Sequence, residues 1–196
     1  MTDAKYKQII GDGYLDQIGI VVADIEKVSS SFQKLMGVGP FSVFSWPDDG
    51  NGKAEYYGKQ GNWKMKLAFA KIGQMQLELI QPVSGDSIFM DFLRDHGPGL
   101  HHLRYIVSDI EKSLTAVKEI GLQVISRGQG VHEGSSWAYI DTRDLLDGVL
   151  IELRIQLDEM VGIMEIQKST ERKIYTNNGD LNGKIALITG GTSGIG

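Results

Sequence analysis

Four side chains able to bind a metal ion or move a proton occupy matched positions in the chain: Gln17, Glu78, His102 and Glu152. Each glutamate lies between two apolar residues in a short strand-like segment. A carboxylate in such surroundings is costly unless it is paired or bound to a cation. One imidazole, one amide oxygen and two carboxylates form a donor set that suits Zn, Ni, Co, Mn or Fe, with water completing the coordination shell.

An internal repeat relates these four residues as two pairs. The segment Ile18–Lys27 resembles Leu103–Lys112, and both contain the sequence DIEK at an offset of 85 residues. The same offset pairs Gln17 with His102, each at the position before an apolar, β-branched run. If the repeats are related by a pseudo-two-fold axis, the two pairs can converge in one cleft. Duplication without an active site is the simpler alternative.

Each repeat is predicted to fold as β-α-β-β-β. Asp24 and Asp109 are placed to cap the N-terminus of a helix, which Gly37 and Gly121 then end. Apolar residues at helical spacing follow each cap, namely Ile25, Val28, Phe32 and Leu35 in the first copy and Ile110, Leu114 and Val117 in the second. The predicted strands are Ile18–Val22, Phe41–Ser45, Trp63–Ala70 and Met75–Ile80, then Leu103–Val107, Gln123–Ser126, Ser136–Asp141 and Leu150–Ile155.

The remaining segments give further predictions. Trp46–Gly61, rich in Gly, Asp, Asn and Lys, is predicted to be a loop or flap, and a short helix around Ser87–Arg94 is predicted to connect the repeats. Because side chains alternate along a strand, His101 is expected to face away from His102. Together the two modules predict an α+β fold in which a curved, partly open mixed sheet surrounds a metal cleft.

Composition excludes several other classes of protein. The 196 residues carry a net charge of −5 and no stripe of Lys and Arg, so a nucleic-acid partner is not expected. The absence of cysteine excludes thiolate metal ligands and cysteine nucleophiles. No apolar stretch has the length of a membrane span or a signal peptide, from which we expect a cytoplasmic protein without a membrane partner.

The motifs LDQIGIVVADIEK, LELIQP, GPGLHHL and GVLIEL resemble those of the vicinal oxygen chelate superfamily. This superfamily includes glyoxalase I, methylmalonyl-CoA epimerase, extradiol dioxygenases and bleomycin-resistance proteins. The resemblance covers residues 14–156, with repeats at about 14–82 and 99–156. The motifs are most similar to those of the epimerases, which usually have His where this chain has Gln17. The series Gln, Glu, His, Glu is instead that of some glyoxalase I enzymes.

The resemblance implies a ligand set and a reaction. Paired βαβββ units in this superfamily hold one divalent ion, here Zn, Ni, Co or Mn, through residues at the positions of Gln17, Glu78, His102 and Glu152. Such an ion stabilises the enolate formed when a carbonyl compound or acyl thioester loses its α-proton. Glu78 and Glu152 are the implied catalytic carboxylates that take and return that proton.

A metal-dependent isomerase, epimerase or carbon–sulfur lyase that acts on a small molecule, as a homodimer, is therefore expected. Two alternatives stay open. One is a non-catalytic module that binds a small molecule, as the resistance proteins of the superfamily do. The other is an accessory module of a fused reductase.

The C-terminal segment predicts the start of a second domain. The string LNGKIALITGGTSGIG places Gly190, Gly194 and Gly196 after a predicted strand and resembles the dinucleotide-binding turn of short-chain dehydrogenases/reductases. The sequence ends before the helix that would hold the phosphates, so productive NAD(P) binding is not expected. The predicted order is an extension at 1–13, the main domain at 14–156, a linker at 157–179 and the truncated start of a reductase domain at 180–196.

Overall fold

The computed structural model describes residues 9–47, 54–130 and 134–155. Within these ranges the chain forms ten strands and three helices. The strands are β1 (Tyr14–Val21), β2 (Ser42–Trp46), β3 (Ala54–Tyr56), β4 (Lys59–Gln60), β5 (Lys64–Ile72), β6 (Met75–Ser84), β7 (Gly99–Ile106), β8 (Val124–Gln129), β9 (Ser136–Ile140) and β10 (Leu150–Ile155). The helices are α1 (Ile25–Met36), α2 (Ile88–His96) and α3 (Ile110–Glu119).

The strand order confirms the two predicted βαβββ repeats. All ten strands form one sheet in the order β2-β5-β6-β1-β7-β10-β9-β8-β3-β4. The first strands of the repeats, β1 and β7, are antiparallel neighbours at the centre. Each is parallel to the last strand of its own repeat, β6 or β10, and the outer strands are antiparallel. The sheet is therefore mixed, and its eight core strands are symmetric about the β1–β7 pair.

The pairing of β1 with β7 obeys the 85-residue offset. Gln17 pairs with Arg104, and Gly19 pairs with His102, so exchanging each residue for its repeat equivalent converts one pair into the other. Each strand also contains one β-bulge, at residue 16 in β1 and at residue 101 in β7, again 85 apart. The repeats are thus related by a pseudo-two-fold axis that passes between these two strands.

A helix covers one face of each half. Asp24 and Asp109 cap α1 and α3 as predicted, each accepting a hydrogen bond from a backbone N–H three residues later, at 2.9 and 3.0 Å. The α1 helix packs on β5 and β6 around Ile25, whereas α3 packs on β9 and β10 around Leu114. Leu35 was predicted on the buried face of α1 but is 80% exposed. It lies about 80° around the helix from Ile25, at the edge of the apolar stripe.

The segment predicted as a loop at Trp46–Gly61 is partly strand. β3 and β4 form a hairpin that pairs with β8, so the first repeat adds two strands to the half of the sheet formed by the second. Ala54 is the only fully buried residue of this hairpin. The loop prediction was wrong for residues 54–60 because a hairpin that buries one side chain has no apolar alternation to detect.

The chain divides into two compact units, Met1–Leu157 and Asp158–Gly196, of which the second lies outside the described residues. The predicted linker and the motif of Gly190, Gly194 and Gly196 fall there and stay predictions.

Among the described helices, none has the length and apolar character of a membrane span.

Candidate metal centre

The four predicted residues lie on the four central strands and are all buried. Gln17 (β1), Glu78 (β6), His102 (β7) and Glu152 (β10) expose 0, 8, 0 and 3% of their surface. Gln17 and His102 lie inside their strands rather than before them, because β1 and β7 begin three residues earlier in each case. The apolar residues that flank each glutamate, Leu77 and Leu79 in β6 and Ile151 and Leu153 in β10, face the opposite side of the sheet, where they pack under α1 or α3.

Glu78, His102 and Glu152 converge on one point. The Nε2 of His102 lies 3.3 Å from Oε2 of Glu78 and 3.2 Å from Oε2 of Glu152. One ligand atom of each residue lies within 4.8 Å of the other two. Neither contact has the geometry of an N–H···O hydrogen bond, and this buried Nε2 has no hydrogen-bond partner among the described residues. The three groups are therefore arranged around a shared centre rather than as one directed pair.

Gln17 contributes a second buried atom without a partner. Its Nε2 donates a hydrogen bond to Oε1 of Gln76 at 2.6 Å, but its own Oε1 accepts none within the part of the chain that the structure describes. An amide oxygen left unpaired in the interior costs about 1–3 kcal/mol. Gln17 shares a face of β1 with Gly19, the residue that pairs with both Glu78 and His102. The sheet register therefore places Gln17 beside the three convergent residues.

Gly19 makes room for the imidazole of His102. A Cβ built on Gly19 would lie 2.0 Å from Cε1 of His102, closer than any real contact allows. The histidine ring therefore occupies the space where any other residue at position 19 would place its side chain. Sequence reasoning missed this role because a single glycine in a strand carries no signal of what lies above it.

His101 contacts His102 instead of facing away from it. Both imidazoles are buried, and their Nδ1 atoms are 3.0 Å apart. The prediction of opposite faces was wrong because residue 101 forms the β-bulge of β7, where side-chain alternation is interrupted. Burial and the neighbouring His102 lower the pKa of His101 well below its ordinary value. A neutral His101 that accepts at Nδ1 directs the Nδ1–H of His102 toward itself and leaves the Nε2 of His102 for the centre.

The electrostatics of the cluster favour a bound positive charge. Burial lowers the pKa of His102, but the carboxylates of Glu152 and Glu78 outweigh it and raise that pKa to about 9. Burial raises the pKa of Glu152, but His102 and then Arg104 outweigh it and hold this pKa below its usual value. The two buried carboxylates thus favour a positive charge between them. The available metal donors are side-chain oxygens and one imidazole nitrogen. Two of them, Oε1 of Gln17 and Nε2 of His102, have no hydrogen-bond partner among the described residues. This donor set fits a divalent metal ion.

The strands beside the two glutamates differ. Tyr139 on β9 pairs with Glu152, and its hydroxyl donates a hydrogen bond to Oε2 of that residue at 3.1 Å. The equivalent neighbour of Glu78 on β5 is Phe69, which has no hydroxyl. Within the described part of the chain, no group donates a hydrogen bond to Glu78. Both glutamates contact His102, but only Glu152 has the additional anchor of a hydroxyl, an asymmetry that sequence reasoning did not predict.

A pocket of about 340 Å³, including its open mouth, lies beside the cluster. Its buried lining includes His101 and Leu150, and Leu150 shares a face of β10 with Glu152. Arg143 lies in its more exposed part, where its guanidinium donates hydrogen bonds to Asp141 at 2.8 and 2.6 Å and to the hydroxyl of Tyr57 at 3.3 Å. A small molecule that enters this pocket would reach the neighbours of both His102 and Glu152.

Comparison with known proteins gives one family. Residues 16–139 match the model of the Glyoxalase/Bleomycin resistance protein/Dioxygenase superfamily. An uncharacterized protein of Bacillus subtilis, YqjC, is 32% identical over 71% of this chain and 89% of its own length. The ethylmalonyl-CoA/methylmalonyl-CoA epimerase of Cereibacter sphaeroides is 26% identical over 72% of this chain and 96% of its own.

Solved structures share the fold. A hypothetical protein of Bacillus halodurans has a TM-score of 0.58 at 28% identity, covering 74% of this chain and 95% of that one. A variant of Streptomyces coelicolor methylmalonyl-CoA epimerase in complex with 2-nitronate-propionyl-CoA has a TM-score of 0.52 at 25% identity, covering 72% of this chain and 96% of that one. These likenesses agree with the predicted α+β fold built on a curled mixed sheet.

Proposed function

The chain belongs to the glyoxalase/bleomycin resistance/dioxygenase superfamily, and we propose that it is a divalent-metal-dependent epimerase that moves the α-proton of an acyl-CoA thioester. The observation that carries this proposal is the placement of two buried carboxylates, one from each repeat, at 3.3 and 3.2 Å from the same imidazole nitrogen. The epimerases among the relatives support the thioester as the class of substrate.

The ligand set follows from the donor atoms that the described residues leave unpaired. The Oε1 of Gln17, the Nε2 of His102 and one oxygen each of Glu78 and Glu152 would hold the ion. A divalent ion in this position supplies a Lewis acid that polarises a substrate carbonyl and stabilises the charge left when the α-proton departs.

The two glutamates are suited to move the proton between opposite faces of the substrate. Epimerisation requires removal of a proton from one face of the α-carbon and delivery to the other. Glu78 and Glu152 belong to β6 and β10, which flank the central β1–β7 pair on opposite sides. Glu78, which accepts no hydrogen bond from residues 9–47, 54–130 or 134–155, is the stronger candidate for the base. The hydroxyl of Tyr139 holds Glu152 in position.

One group in the neighbouring pocket, the guanidinium of Arg143, is suited to an anionic substrate, while the two carboxylates of the lining, Asp91 and Asp95, are paired with Arg94. The Nε and Nη2 of Arg143 are bound by Asp141 and Tyr57, whereas its Nη1 has no acceptor within the described residues. A guanidinium with free N–H donors is a good partner for a carboxylate or a phosphate. An acyl-CoA carries phosphates, and a malonyl-type acyl group adds a carboxylate.

The direct test is α-proton exchange. Protein loaded with Co²⁺ or Mn²⁺ is incubated in D₂O with each epimer of methylmalonyl-CoA, and deuterium incorporation is followed by mass spectrometry. We expect metal-dependent exchange and interconversion of the epimers. Glu78→Gln and Glu152→Gln should each slow interconversion by about 10²–10⁴-fold, while Glu119→Gln, at an exposed position of α3, should leave it unchanged. Tight binding of the thioester without any exchange would identify a binding module instead.

A glyoxalase I-like lyase is the second candidate, and Gln17 is the observation that favours it. Its buried amide oxygen gives the ligand series Gln, Glu, His, Glu, which resembles that of some glyoxalase I enzymes. The hemithioacetal of methylglyoxal and glutathione is the discriminating substrate. Isomerisation of this adduct without exchange on acyl-CoA thioesters would select the lyase.

A further inference from the structure

We propose that a hydrogen-bond chain from Asp16 through Arg104 and Gln76 fixes the orientation of the Gln17 amide, so that its oxygen and not its nitrogen faces the metal centre. That a metal ion occupies this centre rests on the proposed function. The orientation of the amide does not depend on the metal and can be measured in the metal-free protein.

The chain begins at a buried ion pair. The Nε and Nη2 of Arg104 donate to the two carboxylate oxygens of Asp16, at 3.0 and 2.5 Å. Both side chains are shielded, with 8 and 14% of their surface exposed. Asp16 is the bulge residue of β1, and the bulge places its carboxylate against the guanidinium of the neighbouring strand. Two parallel hydrogen bonds leave this guanidinium little freedom to rotate.

The polarity of the chain follows from the donors of arginine. A guanidinium has five N–H donors and no acceptor. The Nη2 of Arg104 lies 3.4 Å from the side-chain amide of Gln76, so the atom that Gln76 presents there has to be its oxygen. The same oxygen accepts a hydrogen bond from Nε2 of Gln17 at 2.6 Å. Because an amide has one oxygen and one nitrogen, the oxygen of Gln17 is turned away from Gln76, where it is buried and has no hydrogen-bond donor among the described residues.

The second repeat lacks this chain of side chains. The residues equivalent to Gln76 and Arg104 are Leu150 and Gly19. The ligand candidate there, His102, is contacted directly by the bulge residue of its own strand. An amide can present either a donor or an acceptor, whereas a neutral imidazole always has one acceptor nitrogen. Gln76 and Arg104, which have no polar counterparts in the second repeat, therefore lie on the side of Gln17. There, a reversed amide would present nitrogen to the metal and remove a ligand.

The experiment compares Gln76→Leu with Gln76→Glu. Leucine is the residue that the second repeat places at this position, and it accepts no hydrogen bond. Glutamate keeps an acceptor for both Gln17 and Arg104. We expect the dissociation constant for Mn²⁺, measured by calorimetry, to rise about 10–100-fold in Gln76→Leu and to stay within about threefold of the wild type in Gln76→Glu. Asp16→Asn, which weakens the anchor of Arg104, should raise it by a smaller factor, and circular dichroism checks the fold of each variant.

A second readout uses the metal-free protein. In ¹⁵N-edited spectra the side-chain NH₂ of Gln17 should be protected from solvent exchange in the wild type and in Gln76→Glu, and exposed to exchange in Gln76→Leu. Unchanged Mn²⁺ affinity and unchanged protection in Gln76→Leu would overturn the orientation chain and leave the proposed function standing. If the wild type binds no Mn²⁺ but its Gln17 NH₂ is protected, the proposed metal function is contradicted while the orienting role of the hydrogen-bond chain is supported.

Discussion

The halves of the sheet repeat each other in backbone and differ at the side chains that surround the site. In both halves the first strand carries one bulge, pairs with the same register across the axis and runs parallel to a last strand with a central glutamate. At equivalent positions, however, the first repeat has the amide of Gln17 where the second has the imidazole of His102. It also has the carboxylate of Asp16 where the second has the imidazole of His101. The phenyl ring of Phe69 likewise replaces a phenol, that of Tyr139.

This difference separates what the duplication determines from what it does not. The symmetric backbone is sufficient to bring the four central strands, and therefore Gln17, Glu78, His102 and Glu152, to one place. The asymmetric neighbours make the two glutamates inequivalent, because Glu152 accepts a hydrogen bond from a hydroxyl and Glu78 accepts none from the residues that the structure describes. An enzyme that moves a proton from one face of a carbon to the other can use such a pair, one carboxylate on each side.

The largest effect is expected from exchanging the ligand types of the two repeats. His102→Gln removes the imidazole nitrogen between the two carboxylates, so Mn²⁺ affinity should fall by more than the roughly 10–100-fold typical of changes to residues behind a ligand. Gln17→His should stay within about tenfold of the wild type, because an imidazole can donate one N–H to Gln76 and keep its other nitrogen for the metal. Calorimetric titration measures both, and equal losses would show that the two positions are not distinguished in this way.

A smaller effect is expected from Gly19, whose equivalent in the other repeat is Arg104. Gly19→Ala places a methyl group 2.0 Å from the ring of His102 and should lower the free energy of unfolding by about 1–3 kcal/mol. Gly99→Ala, on the adjacent strand, meets its nearest atom at 3.7 Å and should change stability by no more than about 0.5 kcal/mol. Urea denaturation compares the two, and similar values would contradict the close packing of the imidazole on Gly19.

The smallest effect is expected from Tyr139→Phe, which gives Glu152 the same neighbour that Glu78 has. Loss of one hydrogen bond to a carboxylate should change the relative rates of deuterium exchange from the two epimers of methylmalonyl-CoA by up to about tenfold. Phe69→Tyr is the reciprocal variant and should shift the ratio in the opposite direction. A ratio that stays constant in both variants would mean that the two glutamates do not serve opposite faces.

The parts of the site that the sequence predicts are those that the duplication repeats. The second DIEK and its 85-residue offset are sufficient to pair Gln17 with His102, and an acidic residue between apolar neighbours marks each glutamate. The caps at Asp24 and Asp109 were also predicted, because the start of a helix has a local chemical signature.

The parts that the sequence does not predict depend on contacts across the sheet. A bulge inserts one residue without changing the apolar pattern, so the contact between His101 and His102 had no local signal. Gly19 and Tyr139 acquire their roles from strands that are distant in sequence, through the ring above one and the carboxylate beside the other. The β3–β4 hairpin was missed because its pairing partner is a strand of the other repeat.

The most direct test of a shared metal centre is the metal content of purified protein, measured by mass spectrometry after loading with Mn²⁺ or Zn²⁺ and removal of the excess. We predict one tightly bound divalent ion per wild-type chain and its loss in the Glu78→Gln/Glu152→Gln double variant, which retains the size of both side chains. Glu119→Gln should bind as the wild type does. Full occupancy that survives in the double variant would contradict a centre built from one glutamate of each repeat.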